Sequence, residues 1–409
     1  MGNEASQGVQ LGKPIENDIK VTWSRVDCEP SFPPRDCHAA CSVDGRMFVF
    51  GGVMITGDDD CAESNDLLML EIGTGKWTKV DGSGKVPPPR SAATFDLVGD
   101  KLYLFGGLSQ YSGWFQDIYS FDTENASWNK VESSGTPPSP RDKLASAVIG
   151  KKIYYFGGFG PKQGEWVTDD DDASQDEELE EVKEQQEAAQ FGWFNDLHIF
   201  DTETNSWSQP LQMNLGVPTA RAALGMCAID DKLVVFGGRD TEGRTNDLHI
   251  FDTVSKKWEA DLKYKGRIPA CRSFHTATAI GKRVVILGGR SSENHHFQDF
   301  HIFDTETKEW LQPEVRGSLP SARGCHSAVV SSEHLVLFGG SSSFDTETMQ
   351  CEEHFGDVYA IRTEEITRGQ ALPLGVDERG EVASGCKPSS STPEASGSIH
   401  TNGNGHGDS

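Results

Sequence analysis

The chain has 409 residues, 44 of them glycine, and a formal net charge of -26 from 63 acidic and 37 basic side chains. That length suffices for one large all-β domain. The acidic balance excludes a binder of duplex nucleic acid, which needs clustered Lys and Arg against phosphates, and electrostatic docking on an anionic membrane.

The chain opens on Met1-Gly2-Asn3-Glu4-Ala5-Ser6, which fits the pattern for N-myristoylation of Gly2. No polybasic patch follows, so a lone acyl chain would give only weak, reversible membrane attachment. A secretory signal, with its basic start and apolar core, is not seen, and no run of 18 apolar residues offers a membrane span. The nine cysteines, at 28, 37, 41, 61, 227, 271, 325, 351 and 386, form no CxxC pair. They read as reduced thiols of an intracellular protein, in the cytoplasm, the nucleus or both.

Residues 1–19 form a polar arm, and from residue 20 the chain repeats. A Gly-Gly pair closes an apolar run six times, at Gly51, Gly106, Gly157, Gly237, Gly288 and Gly339 as first glycines. An Arg stands 16 residues before each: Arg35, Arg90, Arg141, Arg221, Arg272 and Arg323. In five units an Asp precedes a Trp by 11 residues: Asp66/Trp77, Asp117/Trp128, Asp196/Trp207, Asp247/Trp258 and Asp299/Trp310. The sixth unit has Asp357 without its Trp, while a spare Trp23 stands at the front. A ring explains both, with the N-terminal strand around Trp23 supplying the last blade's outer strand and removing the free sheet edges. Four short strands per unit predict a six-bladed β-propeller over 20–363. Residues 364–409, rich in Ser, Gly and Pro, are expected to be a disordered tail.

The Gly-Gly ends, the Asp at fixed distance and the late Trp resemble the kelch repeat. Constant positions belong to the scaffold, so function is expected in the unequal second-to-third-strand loops: 53–64, 108–115, 159–194, 239–245, 290–297 and 341–355. The three tryptophans outside the repeat, Trp114, Trp166 and Trp193, all fall there, either packing the inner wall or lining a recognition pocket. Arg239 and Arg244 share one seven-residue loop, and Arg290 takes the place of Arg239 one blade on. Two such Arg can converge on a carboxylate through planar, multi-donor hydrogen bonds, or pair at the surface with Asp240 or Glu242. Ser273 could add a hydroxyl donor and Phe274 an apolar wall.

The segments Arg141-Asp142-Lys143-Leu144, Gly157-Gly158-Phe159-Gly160, Phe236-Gly237-Gly238-Arg239 and Arg272-Ser273-Phe274-His275 resemble the kelch-domain substrate receptors of cullin-RING ubiquitin ligases. That resemblance implies a protein that grips substrates ending in Gly-Gly and reaches the ligase through elongin and cullin. It places the free carboxylate on Arg239, Arg244 and Ser273, and the pocket wall at Lys143, Phe159, Trp193 and Phe274. The family has Tyr at the position of Phe159 and Trp at that of Phe274, so peptide preference is expected to differ. Its C-terminal helical box for the ligase adaptor has no counterpart pattern in 364–409, which leaves a general kelch scaffold, perhaps attached to a membrane through Gly2, as the alternative reading.

No metal or cofactor is expected. Cys37-His38-Ala39-Ala40-Cys41 lacks the spacing of a structural zinc pair, and His38 follows Arg35 at the distance His275 and His326 follow theirs. The paired His and Tyr of copper oxidases, a nucleophile–base triad and a phosphate loop are not seen, so the chain reads as a binder, not an enzyme. Residues 169–187 carry 11 acids and one base, a net -10, as a solvated insert, a lid or a docking strip for a basic partner.

Overall fold

The computed structural model describes residues 12–55, 61–162, 191–210 and 216–371. Among the described residues, six sheets each hold four antiparallel strands, and three of them carry a fifth, parallel strand at the edge. Their first strands are Ala39–Val43, Thr94–Val98, Ala145–Ile149, Gly225–Ile229, Thr276–Ile280 and Ser327–Ser331, which open blades 1 to 6. Blade 2 shows the pattern: Thr94–Val98, Lys101–Phe105, Ile118–Asp122 and Ser127–Lys130 pair in order. The first strands are rich in Ala, Ser, Thr, Cys and Gly and pack on one another from blade to blade around the axis, blade 6 against blade 1 included. Small side chains allow that approach. The second strands, such as Lys101–Phe105 and Arg283–Leu287, are nearly continuous apolar runs because both of their faces are covered.

Among the described residues the buried apolar side chains form six clusters, one between each pair of neighbouring blades. Each contains one repeat Trp. Trp128 packs on Phe50 of the blade before it with ring centroids 5.3 Å apart, Trp207 on Phe105 at 5.1 Å and Trp310 on Phe236 at 5.1 Å. Trp23 supplies the sixth, between blades 5 and 6.

The expected closure by the N-terminal strand is present. Lys20–Val26 runs antiparallel to Val358–Arg362, the third strand of blade 6. On its other side it runs parallel to Glu314–Gly317. Similar short parallel segments cover the outer edge of other blades, as Ser83–Gly84 does for blade 2 and Lys265–Gly266 for blade 5. A Cβ on Gly317 would lie 2.2 Å from the Trp23 carbonyl oxygen, as one on Gly266 would lie 2.3 Å from that of Trp310. Trp23 therefore occupies the repeat's Trp position in every respect but sequence order.

A second closure lies near the axis. Cys37, Ala92, Lys143, Ala223, Phe274 and Cys325, two residues after each repeat Arg, all have left-handed φ between 49° and 60°. Each N–H donates to the carbonyl of the equivalent residue one blade back, and Cys37 donates to Cys325, over 2.7–3.0 Å. The six bonds form an unbroken circle. They offset a left-handed conformation that costs a non-glycine residue about 1 kcal/mol.

The ordered body extends past the expected boundary at 363. Thr363–Arg368 is a short helix that seats Ile366 in the core between blades 5 and 6, where its carbonyl accepts from Arg283. Its six residues are too few for a helical period to show in sequence. At the front, Ile15 packs on the same core, so the polar arm is partly docked. Gly2, the acidic run 169–187 and residues 372–409 lie outside the described residues.

Candidate functional site

The repeat arginines are scaffold. Each donates through Nη1 to the carbonyl of its blade's first glycine over 2.9–3.1 Å. Five of them also pair with the repeat Asp at 2.5–2.7 Å. Both glycines of the pair have positive φ in all six blades, which is why no other residue stands there.

Beyond the Gly-Gly pair the blades diverge. The next residue pairs through its backbone with the one after the repeat Arg, so six equivalent pairs ring the loop face. They are Val53 with Asp36, Leu108 with Ser91, Phe159 with Asp142, Arg239 with Ala222, Arg290 with Ser273 and Ser341 with Gly324. Phe159, Arg239 and Arg290 are thus three successive occupants of one structural position, in blades 3, 4 and 5.

In blade 4 the second and third strands are extended, as Lys232–Arg239 and Arg244–Asp252, and Arg239 faces Arg244 across the hairpin. Asp240 holds the turn. Its carboxylate accepts from the N–H groups of Glu242 and Gly243 at 2.9 and 3.1 Å and from the Thr219 hydroxyl at 2.8 Å. Arg239 makes no ion pair with either acid of its loop among the described residues. Arg244 crosses to blade 5, where Nε donates to the hydroxyl of the fully buried Ser273 at 2.9 Å and Nη2 to Asn294 at 3.2 Å. The structure therefore brings together Arg239, Arg244 and Ser273, with Phe274 beside them on the axial ring.

Among the described residues no ion pair balances the charge of this spot. Burial, and then the nearby Arg290 and Arg239 guanidiniums, push Arg244 down to about 10, with Glu293 acting weakly the other way. Burial together with Arg290 and Arg244 pushes His296 down to about 4, so its imidazole is neutral at physiological pH. An anion entering here meets donors already held in place and relieves repulsion among them.

The other wall residues form a second group in blade 3. Phe159 and Trp193 pair across the hairpin at the base of the long loop, with ring centroids 5.1 Å apart in an edge-to-face contact. Trp114 and Phe191 join them, at 5.0 Å from each other, and Phe191 is half exposed. Trp166 lies outside the described residues. Lys143 is paired with its buried neighbour Asp142; burial works against its charge, but that partner outweighs it and the pKa rises. Its charge is thus neutralised at home rather than offered freely to a ligand. The two groups are joined through the axial ring, where Ala223 links Lys143 to Phe274 by bonds of 2.8 and 2.9 Å.

Sequence reasoning pointed to the loops 290–297 and 341–355 but singled out none of Asn294, His296 and Phe344 at the basic spot, because within those loops no spacing repeats. It also missed that Cys37 and Cys325, adjacent on the ring, approach Asp36 so that three donor atoms lie within 4.8 Å of one another. Lys143 faces both thiols, so a divalent cation there would meet a positive neighbour.

Comparison with known proteins agrees with the repeat. The KLHDC2/KLHL20/DRC7 Kelch-repeats domain matches residues 17–172 and 183–367. Kelch domain-containing protein 1 of Mus musculus is 33% identical over 324 residues, 75% of each chain. Kelch domain-containing protein 2 of Bos taurus is 30% identical over 322 residues, 76% of each. The solved structure of YjhT is 18% identical and superposes with a TM-score of 0.57 over 80% of this chain and 95% of that one, a likeness of fold.

Proposed function

The chain belongs to the KLHDC2/KLHL20/DRC7 kelch-repeat family, and from that premise we propose that this protein-binding propeller captures partner proteins by the free carboxylate at their C-terminus. The observation that carries the reading is that Arg239 stands opposite Arg244, which bonds Ser273, and that neither arginine forms an ion pair among the described residues, in a protein of net charge -26. The aromatic group of Phe159 and Trp193 supplies a wall for the residues preceding the terminus. In this reading the protein works as the substrate-binding part of a cullin-RING ubiquitin ligase in the cytoplasm or nucleus, as the receptors it resembles do.

The test is fluorescence anisotropy with a short peptide ending in Gly-Gly and its C-terminally amidated twin. The acid is expected to bind at least about tenfold more tightly, the worth of a charge-assisted hydrogen bond. Arg239→Glu is expected to remove that preference. Equal binding of acid and amide, or an unchanged preference in Arg239→Glu, would sink the carboxylate reading. Retention of elongin and cullin on the immobilised chain tests the ligase link separately. A chain that binds the acid peptide but retains neither is an adaptor without a ligase.

A further inference from the structure

We propose that the carboxylate site has a second anionic subsite at Arg290, so that its preferred ligand is a protein terminus bearing two carboxylates, a C-terminal Glu or Asp. This rests on the carboxylate reading above and narrows its ligand class.

Arg290 stands in blade 5 where Arg239 stands in blade 4. Its backbone exchanges hydrogen bonds with Ser273, at 2.8 and 3.2 Å, and Ser273 is the residue whose hydroxyl receives Arg244. The chain of contacts Arg239–Arg244–Ser273–Arg290 is therefore continuous across two blades. The guanidinium of Arg290 lies 3.8 Å from the ring centroid of Phe344 and 5.2 Å from that of Phe274. Aromatic faces hold the plane of a guanidinium and leave the donors on its edge to other partners. At Nε that partner is missing. Only 9% of Arg290 is exposed, its Nε is buried without a hydrogen bond, and it forms no ion pair among the described residues. Buried donors are nearly always satisfied, so an orphan on a fixed side chain needs an explanation.

Acids that could neutralise the spot are engaged elsewhere. Asp36 accepts from Ser341, Asp142 holds Lys143, and Asp240 caps its own loop. Glu293 acts on Arg244 through its field and forms no ion pair with it among the described residues. Three guanidiniums thus converge, and one α-carboxylate would leave Arg290 unsatisfied. The side chain of a terminal Glu or Asp extends a second carboxylate from the same residue, which can meet the Arg290 edge as a fork.

The experiment measures the affinity of the full chain for peptides identical except at the last residue: Glu, Gln and Gly, each as free acid, and Glu and Gly also as C-terminal amide. The Glu acid is expected to bind about tenfold more tightly than the Gln acid. In Arg290→Gln the ratio of Glu to Gln is expected to fall to about one, with a thermal melt confirming that the variant is folded. Equal binding of Glu and Gln acids to the natural chain overturns the inference, whatever the variant does. If the Gly acid still outbinds its amide in that case, the carboxylate reading stands without the second subsite. A Glu/Gln ratio that survives in Arg290→Gln also overturns the assignment to Arg290.

Discussion

Arg239 and Arg272 show how one residue type serves two ends in this chain. Arg272 is fully buried, donates to Gly288 and grips Asp299 with both terminal nitrogens at 2.7 Å. Arg239 is exposed and unpaired by any acid among the described residues. Arg272→Gln leaves Asp299 without its counter-charge and is expected to cost about 3–5 kcal/mol in urea unfolding. Arg239→Gln should change stability by less than about 0.5 kcal/mol while lowering affinity for a C-terminal acid. Burial pushes the Asp299 carboxyl up, but hydrogen bonds from Arg272 and His301 outweigh it and hold it below the ordinary range, as similar pairs hold Asp196 and Asp247. Carboxyls with depressed values contribute stability that is complete above about pH 4 and lost as pH falls through the native value. Acid unfolding is therefore expected to set in below about pH 4, and Asp299→Asn to weaken that acid dependence. The scaffold arginines were legible from sequence because they recur at one spacing, and Arg239 and Arg244 because they break it. Arg290's clasp between Phe274 and Phe344 was not, since the two rings come from different blades and share no spacing with it.

At the level of strands and helices, the joint between blades 5 and 6 carries the most. Trp23, Val21 and Ile19 enter it from the front of the chain and Ile366 from the back, all but fully buried. Trp23→Ala removes the largest of these and is expected to cost about 3–5 kcal/mol, because two packed sheets hold the cavity open. Cleavage by a protease after mild heating checks where the damage falls: early cuts in 12–26 and 358–371 are expected, and uniform cleavage across all blades would contradict a local seam. The N-terminal strand could be read from a missing Trp and a spare one. The helix Thr363–Arg368 could not, because one turn and a half carries no period and its sole buried residue is Ile366. The parallel edge segments were equally hidden, being two to four residues long with no alternation to mark them.

On the scale of the molecule, the circle of six backbone hydrogen bonds running from Cys37 through Cys325 and back has no first or last member. The bridge between Asn17 and Ala371 brings a residue near the front of the described chain to within about 5 Å of its last one, the spacing of paired strands. It follows that the place where the chain starts is an arbitrary cut in a closed figure. A permuted protein with Ala371 joined to Asn17 by a short linker, and opened in the exposed turn between Glu124 and Asn125, would begin on the strand Ser127–Lys130. Trp128 would then do for blade 2 what Trp23 does for blade 6. Such a permutant is expected to melt within a few degrees of the natural chain and to bind the same peptides. Failure to fold would mean that the order of synthesis, and not the circle alone, builds the ring.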